Sequence, residues 1–188
     1  MSHPHTAFFS QQVAAGLESE GALAGYACGL AVADGLLPST IADDLTRRFP
    51  RARNRLVGDV AASHLLPISG PEALARLGGR MLGAGPARAV SWYDVMFVLH
   101  DALVAALPWP RGTGAVYAYE DGALATFRRA RRAELRRFYD LPIPHYATIE
   151  RIIRGEIARF PEAEPERNVS EPPWKKRRKD AELELADA

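Results

Sequence analysis

Ala115-Val116-Tyr117-Ala118-Tyr119-Glu120-Asp121-Gly122-Ala123-Leu124-Ala125-Thr126-Phe127, followed by Phe138-Tyr139-Asp140-Leu141-Pro142-Ile143-Pro144-His145-Tyr146, reads as two buried strands joined by one short helix. Ala115 to Tyr119 is a β-prone run, apolar enough to be covered on both faces and bounded by Gly112-Thr113-Gly114. Asp121 is placed to cap the helix, and Leu124, Phe127 and Ala130 give it an apolar stripe. Arg128, Arg129, Arg131 and Arg132 fall in its last turns, where cations complement the helix dipole. Pro142 and Pro144 stop the second strand because proline cannot donate to a ladder. Strand, crossover helix and strand of this length predict a right-handed βαβ unit. On a parallel sheet, ligands bind at the carboxyl ends of strands.

Working outward, Gln11 to Glu20 is a helix closed by Gly21, and Gly25 to Val32 is a strand that turns out at Asp34-Gly35. Ile41 to Phe49 is a short amphipathic helix, and residues 51 to 70 stay ambiguous. Glu72 to Leu77 predicts a helix before the breaks at Gly78-Gly79, Gly83 and Gly85-Pro86. Ser91 caps a helix reaching Leu107, and residues 146 to 160 form another, with Ile149, Ile152, Ile153, Ile157 and Phe160 on one side. Pro161 to Pro173 is a surface connection, and Asp180 to Asp187 a last short helix expected to fray at its outer end. These elements divide into residues 1–160 as one α/β domain and 161–188 as its connection and terminal helix.

At 188 residues the chain suits one domain with a substantial core. A formal net charge of +1 supplies no bulk attraction to nucleic acid or anionic lipid. The single cysteine, Cys28, excludes an intramolecular disulfide, fits a reducing compartment and reads as a buried thiol. The least polar stretch, Val95 to Leu107, is too short to span a bilayer and contains His100 and Asp101. Together these readings predict a soluble, cytoplasmic protein.

Glu120 and Asp121 at one strand exit have the chemistry to accept hydrogen bonds from a ligand's hydroxyls or act as a base, while Asp121 serves equally as a helix cap. His145 and Tyr146, at the next exit, suit orienting a hydroxyl or stacking on a ligand's apolar face. His3 and His5 alternate without an accompanying carboxylate or cysteine, which favours a non-metal reading. In Lys175-Lys176-Arg177-Arg178-Lys179 the spacings Lys176 to Asp180 and Arg178 to Glu182 suit helical ion pairs, so the run reads as a solvated face, not a nucleic-acid site. Gly83-Ala84-Gly85 and Gly112-Thr113-Gly114 lack the strand-before, helix-after setting of a dinucleotide loop, which discards NAD binding.

Several of these words, in order, form a fingerprint. Tyr119-Glu120-Asp121-Gly122-Ala123-Leu124, Leu141-Pro142-Ile143, Glu171-Pro172-Pro173, and Arg178-Lys179-Asp180 with Glu182, Leu183, Leu185, Ala186 and Asp187 resemble the N-terminal half of bacterial family-4 glycosyltransferases. The opening His3-Pro4, Ala7-Phe8-Phe9 and the helix Gln11 to Glu18 are similar to the first loop and helix of the same proteins; residues 35 to 112 carry no match. The resemblance implies a Rossmann-like parallel sheet flanked by helices, the acceptor-side half of a GT-B fold. It implies transfer of a sugar from a nucleotide sugar to the hydroxyl of a glycan or glycolipid acceptor, with no cofactor and generally no bound metal. In such enzymes the donor domain follows, so the chain is expected to be truncated before it and inactive alone. The first strand is likewise expected to be missing, because only Met1 and Ser2 precede the His3-Pro4 loop. Exposed sheet edges would then favour self-association. The acceptor residues implied are His3, His5, Thr6, Glu120, Asp121, His145 and Tyr146. The competing reading is a non-catalytic remnant or carbohydrate-binding partner domain.

Overall fold

Five short strands, all parallel, make up the sheet around the central unit, in a computed structural model that describes residues 1–33, 38–81, 86–161 and 171–188. In chain order the elements are β1 (Ser2–His3), α1 (Phe8–Ser19), β2 (Tyr26–Cys28), β3 (Val32–Ala33), α2 (Ser39–Arg48), a 3-10 helix over Pro50–Arg55, β4 (Leu56–Val57) and β5 (Leu65–Pro67). Then come α3 (Ser69–Met81), α4 (Pro86–Ala106), β6 (Ala115–Tyr119), α5 (Leu124–Arg132), β7 (Arg136–Asp140), α6 (Tyr146–Arg159) and α7 (Pro173–Leu185). The main sheet runs β5-β2-β1-β6-β7, and β3 and β4 form a separate parallel pair. This is an α/β, Rossmann-like fold.

The predicted βαβ unit is present: β6 and β7 pair in register from Ala115 with Arg136 to Tyr119 with Asp140, and α5 joins them. Alternation along β6 sends Val116 and Ala118 into a core with Phe127, Ala130 and Leu185. On the β2 side, Tyr26, Cys28, Ala14, Leu23 and Leu65 form a second core. Cys28 is fully buried there, and burial pushes its thiol up to about 12.

Four expectations are corrected. The first strand is not missing: Ser2–His3 is β1, at the centre of the sheet, with Ser2 opposite both Ala27 and Ala118. Asp121 is not the cap of α5, because it adopts a left-handed conformation at φ 67° and the helix begins three residues later with Ala123 at its N-cap. The strand after α5 starts two residues before Phe138 and ends at Asp140, ahead of both prolines. The end of the chain does not fray. Tyr139 N–H donates to Ala188 O (2.8 Å), Asp187 N–H to Arg137 O (2.9 Å), and Arg137 pairs with Asp187, so the outer edge of β7 is partly covered.

Several helices outrun their sequence signals. α3 continues through Gly78-Gly79, where a Cβ at Gly78 would press on the Trp92 ring, and α4 starts five residues before Ser91. α7 begins at Pro173, with proline in its first turn, and packs on α5 and β7. The expected breaks at Gly83 and Gly85, and most of the connection after Pro161, lie outside the described residues. Among the described residues no helix is long and apolar enough to cross a membrane.

Candidate functional site

The strand order reverses direction between β1 and β6, one strand leading to β2 on one side and the other to β7 on the opposite side. That is the switch point at which an open parallel sheet leaves a crevice above its carboxyl ends. The loops from the two strands touch there: a Cβ on Gly122 would meet the Pro4 ring at 3.3 Å. His3 closes β1 and Tyr119 closes β6, and their rings pack edge-to-face with centroids 4.7 Å apart. Phe9, from the first turn of α1, packs on both rings, at 5.2 Å from His3 and 5.3 Å from Tyr119. α4 overhangs the β1 exit through Tyr93 and Phe97, each within 6 Å of the His5 ring.

The two histidines differ. His3 is buried, and burial lowers its imidazole to about 4, so it is neutral near pH 7. Its Nδ1 lies 2.7 Å from His5 O and 3.1 Å from His5 N, contacts that require opposite tautomers and fix the loop either way. His5 stands partly exposed, with Nδ1 3.6 Å from a carboxyl oxygen of Glu72. Thr6 donates to Leu30 O (3.3 Å) and accepts from Arg55 (2.7 Å).

Glu72, in the first turn of α3, organises this side of the crevice although only 1% of it is exposed. It accepts the Leu30 N–H (2.8 Å), both terminal nitrogens of Arg55, and Arg76 Nε (3.0 Å) and Nη2 (2.7 Å). Burial alone would push the carboxyl up, but His5, Arg76, Leu30 and Arg55 outweigh it and hold Glu72 well below the usual carboxylate range. Gly29 permits the arrangement, since a Cβ there would collide with Pro4 O and a Glu72 oxygen. The Glu72–Arg55 pair went unread in the sequence; a first-turn glutamate looks like ordinary dipole complementation.

Glu120 and Asp121 leave β6 beside this crevice, but their carboxylates are engaged by α7. Lys179 Nζ lies 2.7 Å from Glu120 and 2.6 Å from Glu171, and Lys175 Nζ 3.2 Å from Asp121 and 2.9 Å from Asp94. The expectation of a solvated basic face is corrected here: the Lys179 side chain is 3% exposed. Burial pushes both acids upward, opposed by Lys179 at Glu120 and by Lys175 at Asp121. The predicted Arg178–Glu182 pair is present at 3.1 Å, whereas Lys176 reaches Glu150. His145 and Tyr146 sit apart, at the start of α6, where the Tyr146 hydroxyl donates to Asp180 (2.9 Å) and His145 Nε2 lies 3.2 Å from the same carboxylate.

The fold therefore brings His3, His5 and Thr6 together with Tyr119, places Glu120 and Asp121 next to them under α7, and leaves His145 and Tyr146 as a separate pair. His100 is a further residue of interest. It is fully buried on α4, faces the Ala27 backbone without a well-formed hydrogen bond at either nitrogen, and burial lowers it to about 4. Its position inside the apolar Val95 to Leu107 stretch was the signal that could have marked it. Among the described residues no group of three histidine, cysteine or carboxylate side chains has the geometry to hold a metal ion. No family model, curated protein or solved structure matches this chain.

Proposed function

We propose that the chain is the acceptor-side domain of a GT-B glycosyltransferase of the family-4 type. It holds a hydroxyl of a glycan or glycolipid at the β1–β6 switch point while a donor domain brings the nucleotide sugar. The observation that carries this reading is the arrangement at the switch point: a partly exposed His5, with Glu72 beside its Nδ1, stands against Tyr93 and Phe97, and Phe9 packs on the neighbouring His3. In this role His5 hydrogen-bonds the acceptor hydroxyl, the aromatic rings border the sugar, and neutral His3 holds the His5 backbone in place. Glu120, Asp121, His145 and Tyr146 act one step back, through their partners on α7. Stabilisation of the leaving diphosphate falls to the donor domain of such an enzyme, and this domain supplies acceptor contacts. Its setting is the cytoplasm, free or peripheral at a membrane.

The test is saturation-transfer NMR against a panel of methyl glycosides, with the His5→Ala variant as control. Binding of at least one glycoside, lost in a His5→Ala protein that melts like the parent, is expected. No binding by any glycoside, or equal binding by the variant, overturns the reading. Turnover of a nucleotide sugar by residues 1–188 alone overturns the assignment of donor chemistry to another domain.

A further inference from the structure

The inner sides of α3 and α4 are set by what they bury: Glu72 and Ala75 on α3, and Met96, His100 and Val104 on α4, the last against Ala27 of the sheet. Turned the other way are Leu74, Leu77 and Met81 on α3 and Val95, Leu99 and Leu103 on α4, between 37% and 75% exposed. Spacings of three and four residues put each set on one helical face. The helices are in direct contact, closed up where Gly78 meets the Trp92 ring, so the two stripes adjoin on one outer surface. From Trp92 to Ala106 α4 carries no lysine or arginine; Asp94 pairs with Lys175, Asp101 with Arg178, and His100 is buried. α4 is thus apolar on its outer side as well as its inner one, the pattern of a helix covered all round.

At these exposures the six side chains present on the order of 500 Å², a patch of the size that is often functional on a protein surface. Two copies meeting across it would bury about 1,000 Å² from these residues alone, which reaches what a specific interface needs. The surface is also self-complementary. Val95, Leu99 and Leu103 form one ridge at four-residue spacing, and such a ridge packs into the groove beside the same ridge of a second helix. The ridge holds no charge, so two copies bring no like charges together along it. A bilayer is the poorer match, because helices that lie on membranes border their apolar face with lysine and arginine, which α4 lacks over this span. We infer that the outer face of α3 and α4 is a homodimer interface, taking a second copy of this chain about a two-fold axis. It lies across α4 from the sheet and stands apart from the acceptor reading.

Size-exclusion chromatography with light scattering reads the outcome. Residues 1–188 should run at twice the mass of one chain at about 100 μM and shift toward the monomer on dilution, with a melting temperature that rises with protein concentration. Leu103→Glu, at an exposed position on the ridge, should weaken association at least about tenfold and remove that concentration dependence. A parent protein that stays monomeric at the higher concentration, or a dimer that Leu103→Glu leaves intact, overturns the inference. So does a monomer that floats with phosphatidylcholine–phosphatidylglycerol vesicles, which would give the face to a bilayer. The mass of the parent decides the matter even where Leu103→Glu fails to fold.

Discussion

Asp101 and Glu182, carried by two different helices, divide between them the backbone donors at the start of α5. Asp101 accepts Ala125 N–H (2.7 Å) and Thr126 N–H (2.9 Å); Glu182 accepts those of Asp121 (2.9 Å), Ala123 and Leu124 (both 3.1 Å). Arg178 pairs with both carboxylates, and neither acid is exposed. A helix start with no capping side chain of its own is thus satisfied from outside.

Removing either acid should therefore cost more than an ordinary cap. Asp101→Ala and Glu182→Ala each leave Arg178 under-compensated as well as backbone donors unpaired, and a loss of about 3 kcal/mol is expected for each. Urea denaturation reads the loss. The double variant should lose less than the sum, since both act on one helix end and one guanidinium. Strict additivity would show the two caps to be uncoupled.

Acid sensitivity should come largely from buried imidazoles. His3 and His100 are both lowered to about 4, against roughly 6.5 in an unfolded chain. Between those values the unfolded chain binds more protons, so stability falls as pH drops from 6.5 to 4, on the order of 3 kcal/mol for each histidine. Glu72 acts in the same direction at lower pH: its contribution, present above the unfolded carboxylate value, is lost as pH falls below it. His100→Phe should flatten the melting-temperature profile between pH 6.5 and 4. An unchanged slope would remove His100 from the account.

Gly29→Ala tests the Glu72 cluster without touching any of its charges. The added methyl collides with backbone at Pro4 and with the Glu72 carboxylate, and the carboxylate cannot retreat without breaking bonds to Leu30 or Arg55. Destabilisation of about 2 to 4 kcal/mol is expected. Perturbation of the His5 imidazole NMR signals should accompany it, because Glu72 faces that ring.

In the core beneath β6, Phe127 is fully buried and Leu124 only partly so. Phe127→Ala should cost about 3 to 5 kcal/mol, and Leu124→Ala clearly less. Equal losses in chemical denaturation would mean that α5 is held by its ends and not by its apolar stripe.

The βαβ unit was legible because its parts obey local rules: an apolar five-residue run, an apolar helical stripe, and prolines beyond the second strand. β1 was not, since a two-residue strand holding Ser2 and His3 has no apolar run and takes its place only by pairing with Ala27, Cys28 and Ala118. The Asp121 misreading has the same origin. An acid before an apolar stripe is a good cap by local logic, yet the helix start was already served by Glu182, sixty-one positions on from Asp121. At the site, His3, His5 and Thr6 could be singled out, but the reach of α7 over Glu120 and Asp121 depends on long-range ion pairs that charge spacing within one helix does not encode.

β1 has one more consequence. Among the described residues β1 is the strand that joins the β5–β2 pair to the β6–β7 pair within the sheet, and its Ser2 pairs with Ala118 across a long span of sequence. Contacts of such long span form late, after the loop entropy of the intervening chain has been overcome. The two half-sheets should behave as separate cooperative units that lock when the N-terminal residues slide between them. In hydrogen exchange the amides of Ala27 and Ala118 should then open together, a keystone loosening both sides of the arch at once.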